Sequence, residues 1–107
     1  MKYDYAIVDQ KYSRALMVSE GGPVYMNYLN EIVYIHSSDV DRVVMMEPKL
    51  LKKGCIMFYD ENGKTIELVT LKGNKTPAFI EVSNKDKKDF YLIFAALRDM
   101  GFKLVVI

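Results

Sequence analysis

The chain has 107 residues, of which 15 are Lys or Arg and 14 are Asp or Glu, giving a net charge of +1 with its histidine neutral. That length is one domain, residues 1–107, able to bury about two-thirds of its surface without metal or disulfide staples; the lone Cys55 cannot form an internal bridge. The balanced charge excludes a whole-molecule attraction to nucleic acid, and no run of about 18 apolar residues is present to span a membrane. The N-terminal MKYDYAIVDQ lacks the apolar core of a secretory signal, so a cytoplasmic location is expected.

In chain order, Tyr3–Val8 and Arg14–Ser19 read as strands, followed by a Gly21-Gly22-Pro23 turn. Residues 24–36 hold either one long bent strand or two short ones, which periodicity does not decide. Val40–Met46 is the next strand. Cys55–Tyr59 and Thr65–Leu71 flank Asp60-Glu61-Asn62-Gly63, and Asn-Gly supplies the positive φ of a tight reversal, so a hairpin is expected there. Ala78–Val82 is a further strand.

One helix is expected over residues 85–100. Ser83 with Asp86 three residues later fits a capping box, Asn84 being the alternative cap. Phe90, Ile93, Phe94 and Leu97 then fall at i, i+3, i+4 and i+7, an apolar stripe along one face. Gly101 follows as the left-handed C-terminal residue. The apolar tail Phe102–Ile107 either adds a strand or packs back on the core. A helix that arrives only after the strands argues against βαβ winding. The expected fold is therefore α+β and mainly β: about seven antiparallel strands in a partly open barrel, closed by one C-terminal helix.

This order, with three local stretches, resembles bacterial pleckstrin-homology (PH)-like domains. The stretches are Val33-Tyr34-Ile35-His36-Ser37-Ser38-Asp39-Val40-Asp41-Arg42-Val43, then Lys49-Leu50-Leu51-Lys52-Lys53-Gly54-Cys55-Ile56-Met57-Phe58, then Phe79–Lys85 leading into Phe90 and Leu97. The resemblance implies a binding module, often self-associating, whose ligand the fold does not fix. Lipid-binding PH domains crowd basic residues after the first strand, where this chain has only Lys11 and Arg14.

Catalytic patterns are missing. His36 has no Cys or second His at ligand spacing, so no metal site is expected. Ser37, Ser38 and Asp39 adjoin His36 in a corner, where neighbouring side chains diverge rather than converge as a triad does. Carboxylates are dispersed singly. Gly21-Gly22 is not followed by the Lys-Ser/Thr of a phosphate loop, and no cofactor is expected.

Two surfaces are candidates for binding. The apolar run Tyr25, Met26, Tyr28 and Leu29 offers an exposed edge for a protein partner or a second copy. The loops at 47–54 and 72–76 are expected at one end of the domain. They would gather Lys49, Lys52, Lys53, Lys72 and Lys75 around Leu50-Leu51, an arrangement suited to an anionic lipid surface or another anion. The leading expectation is a non-catalytic protein-binding or self-associating module, with the lysine end as the alternative.

Overall fold

The computed structural model describes residues 2–107. Its first half is an antiparallel meander of β1 (Tyr5–Asp9), β2 (Arg14–Val18), β3 (Val24–Tyr28) and β4 (Glu31–Tyr34). The period-two alternation of strands sends Ile7, Leu16, Val18, Val24 and Met26 inward, where they are buried. The 24–36 stretch thus forms two strands. They reverse at Leu29-Asn30, whose φ values of 51° and 65° are both left-handed, as a two-residue hairpin of the primed type requires.

The second half builds a sheet in the order β10-β5-β6-β9, from β5 (Arg42–Met46), β6 (Gly54–Tyr59), β9 (Phe79–Val82) and β10 (Leu104–Val106). Between β6 and β9, the short β7 (Glu67–Val69) and β8 (Lys75–Pro77) pair only with each other. Helix α1 (Lys87–Asp99) follows a 3-10 turn at Asn84–Asp86 and buries Phe90, Ile93, Ala96 and Leu97 against the strands. Its C-terminus is closed as expected: Gly101 has φ 90°, its N–H donates to the Arg98 carbonyl, and Phe102 N–H reaches back to Leu97. The Ser83 hydroxyl donates to the Asp86 carboxylate at 3.2 Å, so the two capping-box residues meet each other rather than the backbone.

The mainly β architecture with a single C-terminal helix stands, whereas the strand count and closure differ from expectation. Among the described residues there are ten strands, and no ladder joins the two larger sheets, so they do not close into a barrel. The hairpin after β6 explains part of the difference. Thr65 bridges Tyr59 and Ile66 N–H donates to the Phe58 carbonyl, but the arm then turns away. Both edges of β6 are occupied, one by β5 and the other by β9, so Glu67–Val69 has nowhere to continue and pairs with β8 instead. The tail returns after the helix as β10, parallel to β5 with Leu104 opposite Val43. A helical crossover permits that parallel pairing. One core lies between the sheets and the helix, with Phe58, Met45, Ile56 and Ile80 at its centre.

Candidate functional site

The five lysines do not form one cluster. Gly54 lies opposite Val82, which places the 47–53 loop at the Ser83 end of β9. Lys75 lies on β8, before the other end of β9, so the 72–76 turn belongs to the opposite side of that strand. A simple meander would bring the two loops to one end, and the diversion of β7 into its own hairpin breaks that meander. Lys75 stands 3.8 Å from Glu67. Lys53 shares a hollow with Lys85 and with Asp9, Glu81 and Asp86, so the two lysines there face three carboxylates.

Lys49 and Lys52 remain, and their geometry is specific. Lys49 N–H donates to the Lys52 carbonyl at 2.8 Å and Lys52 N–H returns the bond at 3.2 Å. Leu50 and Leu51 form the two-residue apex between them, 82% and 97% exposed. The base of this loop is anchored. Lys87 Nζ on α1 lies 3.0 Å from Glu47 Oε1. The Tyr91 hydroxyl and then the Lys87 ammonium hold the Glu47 carboxyl below the ordinary carboxylate range, and bonding to Glu47 raises Lys87 and Tyr91 in turn.

The apolar run of the third strand is redistributed. Tyr25 and Met26 are buried, Tyr28 packs partly against the core, and only Leu29 is exposed. β3 lies between β2 and β4, so it is not an edge; β4 is. What the sheet leaves outward is broader than the run. The register aligns Ala6, Met17, Tyr25 and Tyr34 in one cross-strand row, and Val8, Ala15, Asn27 and Ile32 in the next. These eight positions carry no charged side chain; Val8, Ile32 and Tyr34 are exposed, whereas Tyr25 is buried beneath its neighbours. An antiparallel sheet with one solvated face normally alternates apolar-in with polar-out. Leu29 adjoins this face, lining a hollow of about 370 Å³ with Val8, Ala15 and Asn27, and with the charged Asp9 and Arg14.

His36 and Ser37 line a separate cleft of about 430 Å³ with Asp99, Tyr34 and the apolar Val24, Met100 and Phe102. Among the described residues no side-chain hydrogen bond joins His36 to Ser37, Ser38 or Asp39; the 3-10 turn there is held by Asp39 N–H to the His36 carbonyl at 2.9 Å. No group of three or more His, Cys, Asp or Glu among the described residues could hold a metal ion. Cys55 is buried, and that burial raises its thiol pKa. No helix is long and apolar enough to cross a membrane.

A partly buried polar row is not evident from the sequence. Asp9, Arg14, Tyr28 and Glu31 align across the inner face at one end of the first sheet. Arg14 is 7% exposed, donates to Thr76 Oγ1 at 3.0 Å, and lies over the rings of Tyr12 at 4.8 Å and Phe79 at 5.3 Å. Its position before Leu16 and Val18 on the inward phase of β2 was the available signal. No family model, curated protein or solved structure matches the chain.

Proposed function

We propose that the chain is a non-catalytic, PH-like interaction module that self-associates through the outward face of its first sheet. The order of a four-stranded meander, a second sheet and a C-terminal helix supports the PH-like reading. The extra β7–β8 hairpin and the parallel β10 depart from the simple seven-strand scheme. The observation that carries the functional reading is the uncharged outward face of β1–β4. Apolar patches of about 300–600 Å² occur on ordinary monomers and are often functional.

A second copy is the occupant that the face favours. With no charge on it, two copies meet without like-charge repulsion, whereas a charged partner finds no counter-ion. Four strands at about 4.8 Å spacing and five residues at about 3.4 Å rise give roughly 330 Å² of plane per copy. A stable dimer buries about 800 Å² per partner, so the association is expected to be weak.

Sedimentation velocity across about 10 μM to 1 mM tests this. The weight-average mass should rise toward the dimer. Ile32→Lys and Val8→Lys should hold it at the monomer without altering the far-UV circular dichroism. A strict monomer across the whole range, or charge variants that associate as well as the parent, refutes the reading.

A further inference from the structure

We propose that the Lys49-Leu50-Leu51-Lys52 turn is a preformed tip that inserts into the interface of an anionic lipid bilayer. Tight turns favour Gly, Asn, Asp, Pro and Ser, each for a backbone reason. Two leucines at a turn apex satisfy none of these reasons, and neither takes a left-handed φ. Nor do they serve the core, being almost wholly exposed at 82% and 97%.

The turn is held rather than floppy. Its two flanking lysines exchange both backbone hydrogen bonds, at 2.8 and 3.2 Å. At its base, Gly54 packs against the backbone of Met46 to Pro48, leaving no room for a side chain. Glu47 is tied to α1 through Lys87 at 3.0 Å. That ion pair also neutralises the one carboxylate within the loop, leaving Lys49 and Lys52 to face anionic headgroups while the leucines enter the acyl boundary. Apolar penetration combined with flanking cations is what binds a peripheral segment to an anionic surface. The tip is carried by observations independent of the sheet face, so either reading can fail alone.

The chain contains no tryptophan, so Leu51→Trp installs a single reporter at an exposed position. Vesicles of phosphatidylcholine with about one-third phosphatidylserine should shift its emission to the blue and let brominated acyl chains quench it. Phosphatidylcholine vesicles alone should do so far less. Leu71→Trp, in the other hairpin turn and fully exposed, should stay at a water-like wavelength. In the parent chain, Leu50→Ser/Leu51→Ser should weaken flotation with anionic vesicles more than tenfold, and Lys49→Glu/Lys52→Glu should weaken it at least as much. Each lysine lost costs about fivefold, and raised salt narrows the difference. Ile32→Lys should leave the Leu51→Trp response intact. An unshifted Leu51→Trp emission, an equal shift at position 71, or flotation indifferent to both double variants would overturn the proposal.

Discussion

Gly54→Ala is the smallest change that tests how the loop base is built. A Cβ at this position would overlap the Met46 carbonyl oxygen outright and stand 2.6 Å from Pro48 N and 2.8 Å from Glu47 C. All three obstacles are backbone, so no side-chain rotation relieves them. Met46 is held in register opposite Cys55, and Gly54 itself opposite Val82. Moving the 46–48 segment therefore disturbs the ladder on both sides of β6. Overpacking typically costs 1–3 kcal/mol, and a clash with immobile backbone belongs at or beyond the upper end; we expect about 3 kcal/mol. With an unfolding entropy near 2.1 cal/mol/K per residue, a chain of 107 residues should lose about 13 °C in Tm. Thermal unfolding followed by circular dichroism, with urea unfolding to obtain the free energy directly, measures this. A variant within about 0.5 kcal/mol of the parent would show that the 46–48 crossing is loose and that the Leu50-Leu51 tip is not rigidly held.

Arg14→Leu should destabilise by about 2–3 kcal/mol, since it removes a charged hydrogen bond to Thr76 and the stacking on Tyr12 and Phe79; urea unfolding reads the loss. A double-mutant cycle with Thr76→Val should show coupling, and strict additivity would deny the bond its role. Glu47→Gln should lower stability at neutral pH. Because the folded carboxyl is held below its ordinary pKa, that stabilisation is complete above the ordinary carboxylate range and vanishes as pH falls through the folded value. The gap between parent and variant should therefore close in acid, and a pH-independent gap contradicts the assignment. Cys55, buried and with its thiol pKa raised chiefly by desolvation, should resist a thiol-reactive dye in the folded chain and react at once in denaturant.

Local signals were the legible part of this fold. The Phe90–Leu97 stripe and Gly101 mark the helix and its end, and the inward phase of β1–β3 follows from alternation alone. What stayed hidden depends on which edges of a strand are already taken. Nothing in Glu67–Val69 announces that β9 occupies the side of β6 where this arm would have continued. That missed pairing misplaced Lys72 and Lys75, because the lysine cluster was inferred from a meander that does not exist. Tyr25 and Met26 were misread for a related reason. An apolar run names a strand, but only the pairing on both sides shows that β3 is internal. Arg14 opens the strand Arg14–Ser19 in the sequence reading, and its phase with Leu16 and Val18 already points it inward.

Among the described residues, three of the places on the surface that break a local rule bear on the proposed surfaces. Leu29 takes φ 51°, a conformation that costs a non-glycine residue about 1–2 kcal/mol, yet it remains 42% exposed. Leu50 and Leu51 occupy a turn apex without contributing to the core. The outward rows of β1–β4 omit the charges that solvent-facing strands normally carry. Departures from local sequence rules concentrate where function constrains the residue. Leu29 shares its hollow with Val8, Ala15 and Asn27, so the strained turn and the uncharged face form one surface. The leucine tip is fixed instead to the helix through Glu47 and Lys87 and forms a second. Relieving the strain therefore separates two explanations of Leu29. Leu29→Asn suits a left-handed turn and keeps the hairpin, while it deletes the exposed apolar group. If Leu29 serves the monomer, the variant loses stability; if it serves association, folding stability holds or rises while the self-association constant falls.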